Sequence, residues 1–229
     1  MHPDFDRYSA SYREHVQRSI GFLGQDHEFF VSHKVGHLLR LSRRWVGDPR
    51  ERSVLDVGCG VGLIDRHLTG AFRRVQGVDV SAESLAVASE SNPGVRYDVY
   101  DGRTLPFDDG SFDVTFAAGV LHHVAVADRA AFIREMARAT ARNGLAVVFE
   151  HNPYNPLTRL AVDRCAFDEG VILPSRRATI RLFEKAGLRL IENPYVLFAP
   201  WNFPGSAAME RALRWAPFGA QFVVAGRPA

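Results

Sequence analysis

The chain is poor in several residue types. Cysteine occurs twice, at Cys59 and Cys165, too few and too far apart for a disulfide framework. Lysine also occurs twice, at Lys34 and Lys185, so the other basic residues among 28 are arginine. Arginine favours forked contacts with carboxylate and phosphate, but here the excess reads first as composition. No apolar run reaches the ~18–20 charge-free residues of a membrane span, so none is expected. The opening MHPDFDRYSASYREH is polar where a secretory signal would be apolar, which leads us to expect a cytoplasmic protein. Repeats and low-complexity tracts are missing. With 46% hydrophobic residues and a net charge of +2, disorder is excluded as well. The 229 residues suffice for one domain burying roughly 70% of its unfolded surface. The densest basic stretch, Arg40, Arg43, Arg44, Arg50 and Arg52, reads as a solvated helix face and loop, so no stable nucleic-acid partner is expected.

Hydrophobic periodicity organises what is present. Residues 5–46 read as helical, with Val35, Leu38, Leu39 and Leu41 on an apolar stripe, and Pro49 ends the segment. From residue 53, strand patterns at 53–57, 75–78, 95–100, 112–117 and 145–149 alternate with helical ones near 62–69, 82–91 and 128–141. Ser81 and Asp128 suit the N-caps of the last two helices. This alternation predicts an α/β fold, a parallel sheet with helices on both faces. After residue 150, Asn152-Pro153-Tyr154-Asn155-Pro156 breaks the rhythm. A helix near 175–187, a strand over 188–198, a short helix over 206–215 and a strand near 220–225 complete the expectation.

The most informative stretch is VLDVGCGVG, residues 54–62. Here a strand runs into Gly58, Cys59, Gly60, Val61 and Gly62, where glycines allow tight turns and close approach of a ligand to bare backbone. A following helix would direct its free N–H groups at the same point. A second strand ends in Gly77-Val78-Asp79-Val80-Ser81. A carboxylate at that strand end can accept both hydroxyl protons of a ribose. Residue 63 is leucine, so the spacing is G-x-G-x-G and departs from the dinucleotide fingerprint G-x-G-x-x-G. Asp56, two residues before the loop, suits a cationic or amino-bearing ligand and would repel a pyrophosphate; bracing of the loop is its other reading.

In these motifs the chain resembles the class I S-adenosylmethionine-dependent methyltransferases. VLDVGCGVG is similar to the first motif of that family and GVDVS at 77–81 to the second. Asp101-Gly102 with Leu105-Pro106-Phe107 is similar to the third. The stretch from Gly110 through Ala118-Gly119-Val120-Leu121-His122-His123-Val124 is similar to the type 11 branch, with its ubiquinone- and menaquinone-type C-methyltransferases. The resemblance is good over roughly residues 50–150 and weaker at both ends. It implies a Rossmann-like sheet of seven mostly parallel strands, an antiparallel last strand and an N-terminal helical cap. One domain would span 1–229: the cap over 1–48, the cofactor core over 50–150, and substrate-side strands over 151–229 with a lid at 198–217. It also implies S-adenosyl-L-methionine as cofactor, held by Asp56, Gly58, Cys59, Gly60, Asp79, Val80, Asp101, Gly102, Ala118 and Tyr12. In that assignment Asp79 meets the ribose and Asp101 the adenine amino group.

Methyl transfer from a sulfonium needs in-line positioning, and a neutral acceptor also needs a base. His122 and His123 follow the fourth strand, while Glu150 and His151 end the fifth, so these four are the catalytic candidates. His123 comes first among them; cofactor contact or turn bonding is the bland alternative for each. Tyr8, Tyr154, Arg159, Trp201 and Phe203 are candidates for holding a substrate. Tyr8, Tyr12 and His15 share one side of a helix by spacing. Trp201, Phe203, Trp215 and Phe218 suit a pocket wall, with a homodimer contact or a membrane-surface patch as the other readings. HNPYNP, residues 151–156, follows the fifth strand and lacks paired prolines, so it does not match the motif of nucleic-acid amino-methyltransferases. The histidines are scattered in sequence and suggest no metal set.

The expected reaction is methyl transfer to a small-molecule acceptor, at oxygen or carbon. A tRNA or protein acceptor, a nicotinamide-dependent oxidoreductase and a non-catalytic regulator of the same fold are the rivals.

Overall fold

A computed structural model describes residues 11–199, 201 and 203–229, with the side chains of residues 12 and 13 excluded. In chain order the elements are α1 (Tyr12–Ile20), α2 (His27–Trp45), β1 (Ser53–Val57), α3 (Asp65–Leu68), β2 (Arg74–Asp79), α4 (Ala82–Ser91), β3 (Arg96–Val99) and β4 (Phe112–Ala118). They continue with α5 (Arg129–Ala139), β5 (Thr140–His151), α6 (Pro156–Asp163), α7 (Arg176–Lys185), β6 (Leu188–Glu192), β7 (Tyr195–Val196), α8 (Ser206–Leu213) and β8 (Gln221–Pro228).

The sheet runs β3-β2-β1-β4-β5-β8-β6, with the two-residue β7 also pairing with β8. β1 to β5 pair in parallel, and β8 lies antiparallel between β5 and β6. This is the predicted mostly parallel, Rossmann-like α/β sheet with its antiparallel final strand. Alternation along the strands supplies both faces. Val147, Phe149 and Val223 pack with Val31, Val35 and Leu38 of α2 on one side. Ala146, Val148 and Val224 pack with Ile133 of α5 and Phe183 of α7 on the other. No helix among the described residues is long and apolar enough to cross a membrane.

Several boundaries differ from expectation. The helix expected at 62–69 shrinks to Asp65–Leu68, because Gly60 and Gly62 hold φ of +52° and +71° and the chain turns before it can coil. The cap breaks at Gly24 (φ +66°), and Asp26 restarts it by accepting from Phe29 N. The strand expected over 188–198 splits at Asn193-Pro194, since proline has no N–H for the ladder. The turn after residue 151 launches an unpredicted helix, α6, capped by Asn155 and with Pro156 at its first position. Ser81 caps α4 as predicted, whereas Asp128 makes no side-chain cap bond.

Candidate active site

The carboxyl ends of β1, β2, β4 and β5 meet beneath α1 and α2. Gly58 N and Cys59 N both donate to Val78 O, at 2.8 and 3.1 Å, so the glycine loop is stitched to the end of β2. Gly58 sits at φ +81°, and a Cβ there would lie 2.7 and 2.8 Å from the two γ-carbons of Val120. Asp79 accepts from Gly60 N at 2.8 Å and from Ser81 N at 3.0 Å. Its carboxylate thus shapes the loop, and an ionised carboxylate has lone pairs left over for further donors.

A small cavity of about 70 Å³ opens on this loop, bordered by Asp56, Gly58, Cys59, Gly60 and Ala118. Asp56 is fully buried, and its Oδ1 has no hydrogen-bond partner. Burial and the neighbouring Asp65 push its pKa well up, and burial raises Asp65 to about 7. Two neighbouring buried carboxyls cannot both ionise there at low cost. Val80, Asp101 and Gly102 stand further along, beyond β2 and β3. A Cβ on Gly102 would lie 3.2 Å from Val80 Cγ1, and Val80 is exposed. Asp101 Oδ1 accepts from Arg103 N and Thr104 N, both at 2.8 Å, which holds its pKa down and fixes the turn.

A second cavity, about 160 Å³, lies on the other side of Ala118. Most of its lining is apolar: Ile20 at the end of α1, Leu23 after it, Phe30 of α2, Ala161 and Val162 of α6, and Phe198. His27, Lys34 and Ala118 border both cavities. Lys34 is held below the usual lysine range by burial, with Glu150 and Asp56 pulling the other way.

The polar end of this second cavity gathers His122, His123, His151 and Asp168. His122 Nδ1 lies 2.8 Å from Glu150 Oε2, with both side chains buried. Burial pulls the pKa of His122 down, but Glu150 and Asp168 more than offset this and hold it at about 9. Burial pushes Glu150 up, yet His122 draws it to about 2. His123 falls to about 3 and His151 to about 4, each through burial and then the charge on His122.

The four catalytic candidates therefore sit together: three line or floor the cavity, and Glu150 orients one of them from behind. Gly58, Cys59, Gly60, Asp56 and Ala118 border the loop cavity, with Asp79 bracing the loop. Four substrate-binding candidates are placed elsewhere. Tyr154 and Arg159 are exposed and do not line the cavity. On α6 the cavity face is Leu157, Thr158, Ala161 and Val162, and helical periodicity turns Arg159 away. Trp201 and Phe203 are exposed and outside the lining. Tyr8 and the side chain of Tyr12 lie outside the described residues; Tyr12 opens α1.

Sequence reasoning missed His27, Phe30, Lys34 and Asp168. The first three share one helix face by spacing, and Lys34, one of two lysines, interrupts an apolar stripe, which was a readable signal. Asp168 had none, because it lies in a short 3-10 turn whose position depends on α6.

Comparison with known proteins fits this geometry. Residues 55–148 match the family described as "Methyltransferase domain". Ajmaline N-methyltransferase of Rauvolfia serpentina is 31% identical over 111 residues, 45% of this chain and 38% of that protein. The 2-methyl-6-phytyl-1,4-hydroquinone methyltransferase of a Synechocystis strain is 34% identical over 108 residues, 45% of this chain and 33% of that protein. The matched segment thus spans well under half of these curated relatives. Among solved structures, a TehB-like SAM-dependent methyltransferase from Corynebacterium glutamicum superposes with a TM-score of 0.64 at 19% identity, covering 97% of this chain and 99% of that one. At that identity the likeness is one of fold.

Proposed function

We propose that this chain, whose core is a class I S-adenosylmethionine-dependent methyltransferase domain, transfers a methyl group to a small-molecule acceptor at oxygen or carbon. The observation that carries the reading is the pair of cavities sharing Ala118, Lys34 and His27 as a common wall. A donor on the glycine loop and an acceptor in the apolar chamber would then meet end to end, the arrangement an in-line displacement requires. The buried, unpartnered Asp56 Oδ1 and the bare backbone at Gly58 and Gly60 fit a cationic nucleoside cofactor. When bound, S-adenosylmethionine supplies an electrophilic methyl group and a sulfur that takes the departing electron pair.

The residues of this chain do the rest. Asp79 and Ser81 offer polar groups at the ribose position, and Val80 with Gly102 offers a flat apolar seat for the adenine. Asp56 would face the amino end. Phe30, Phe198 and the helical cap exclude water from the acceptor, while His122, His123 and Asp168 turn its polar atom toward Ala118. An apolar chamber lined by α1 and α6 favours a small molecule over a tRNA, as do relatives named for ajmaline and a hydroquinone. Calorimetry with S-adenosylhomocysteine tests the cofactor half: saturable binding is expected, and none at millimolar ligand sinks the reading. Labelled methyl incorporation into fractionated metabolite extracts tests the acceptor half; label appearing in RNA or protein instead would replace the small-molecule acceptor.

A further inference from the structure

The polar end of the larger cavity has a feature that methyl transfer does not require. Asp168 is 8% exposed, and its Oδ1 has no hydrogen-bond partner. That oxygen lies 3.4 Å from His122 Nε2 and 3.3 Å from His123 Nε2. Charge-assisted hydrogen bonds to a carboxylate close to about 2.7–2.9 Å, as the His122–Glu150 contact does at 2.8 Å. Two imidazole nitrogens thus converge on one carboxylate oxygen at distances longer than that bond. Donors ~2.0–2.1 Å from a tetrahedral zinc stand ~3.3 Å apart, the spacing of both contacts to Asp168. One donor atom from each of the three side chains falls within 4.8 Å of the others.

The outer contacts agree. A metal-bound histidine commonly passes its other ring N–H to a carboxylate, which fixes its tautomer and turns the bare nitrogen to the ion. Glu150 occupies that position behind His122, buried near the end of β5. We propose that His122, His123 and Asp168 form a binding site for a divalent transition metal of the zinc type, with Glu150 orienting His122 and the fourth position open to the cavity. Two imidazoles and one carboxylate favour Zn²⁺ or Co²⁺ over Mg²⁺ or Ca²⁺, which prefer oxygen donors. If the chamber holds the methyl acceptor, as proposed above, the open position would take that molecule's hydroxyl oxygen. The ion would lower the pKa of the bound group, whose proton passes to water. The two histidines then act as ligands and not as the bases expected from sequence.

The test uses the full chain without a tag, stripped of metal by chelator. Calorimetric titration with Zn²⁺ should show one equivalent bound at micromolar affinity or better. Co²⁺ should give the intense visible bands of a four-coordinate ion. Asp168→Asn should weaken Zn²⁺ binding at least a hundredfold and abolish those bands, and His123→Gln should do the same. Glu150→Gln should cost ten- to a hundredfold, as loss of an outer-shell partner does. Absence of stoichiometric Zn²⁺ binding overturns the proposal, as does equally tight binding by Asp168→Asn, which would place the ion elsewhere. S-adenosylhomocysteine affinity of the same metal-free samples separates the two readings. If it persists without metal binding, only the metal site fails; if it is lost, the cofactor reading fails.

Discussion

Alanine at Gly58 tests whether the glycine loop is shaped by sterics. Gly58 holds φ +81°, a region that costs a residue bearing a Cβ about 1–2 kcal/mol. The new methyl would also sit 2.7 and 2.8 Å from Val120 Cγ2 and Cγ1, well inside contact distance. Overpacking of this kind typically costs about 1–3 kcal/mol. The two effects together come to about 2–5 kcal/mol. For a chain of this length each kcal/mol lowers Tm by about 2–4 °C, so Gly58→Ala should lose roughly 4–20 °C by scanning calorimetry. The double variant Gly58→Ala/Val120→Ala separates the causes. Removing both γ-carbons relieves the clash but leaves the backbone strain, so the substitutions should be non-additive by about 1–3 kcal/mol. S-adenosylhomocysteine affinity should fall in Gly58→Ala, because a loop shifted by the clash with Val120 no longer matches the ligand. A Tm within 1–2 °C of the parent, about 0.5 kcal/mol, would refute the argument.

Asp79→Asn keeps the bond to one loop N–H and removes the charge; S-adenosylhomocysteine binding should weaken by about 1–3 kcal/mol by calorimetry. Unchanged affinity would remove Asp79 from the ribose position. Glu192, itself buried, receives Arg40 at 3.2 Å, Trp45 Nε1 at 3.2 Å and Arg214 at 3.5 Å, pinning α2 to β6 and the segment after α8. Glu192→Gln should cost about 1–3 kcal/mol in urea unfolding, since the half-exposed arginines can turn to water. Burial pushes the Asp65 carboxyl up to about 7 in the folded protein against 3.8 in the unfolded chain, so folding favours its protonated form. Its contribution is full below pH 3.8 and is lost as pH rises toward 7. The parent should therefore lose more Tm between pH 5 and 8 than Asp65→Asn does; equal slopes would mean that the proton resides elsewhere.

How much was legible beforehand varied by element. Strand β1, helix α4 and the Ser81 cap emerge as read, because each rests on contacts within a few residues. Helix α3 was overestimated because the local pattern cannot reveal that Gly60 and Gly62 take left-handed φ. Tyr154, Arg159, Trp201 and Phe203 have the chemistry of substrate ligands, but the pitch of α6 and the course of the segment after β7 put them on the outside. Lys34 was legible as an oddity, though not as part of a wall between two cavities.

The sequence by itself determined the sheet, the glycine loop and the acid that braces it, because strand alternation, glycine spacing and caps act over a few neighbouring residues. Only the tertiary structure decided which side chains face the larger cavity. His27 and Lys34 from the cap, His122 and His123 after β4, Glu150 at the end of β5 and Asp168 beyond α6 are brought together by helix rotations and loop paths. Those are set by how apolar faces bury against one sheet, a long-range outcome that no short stretch of chain encodes.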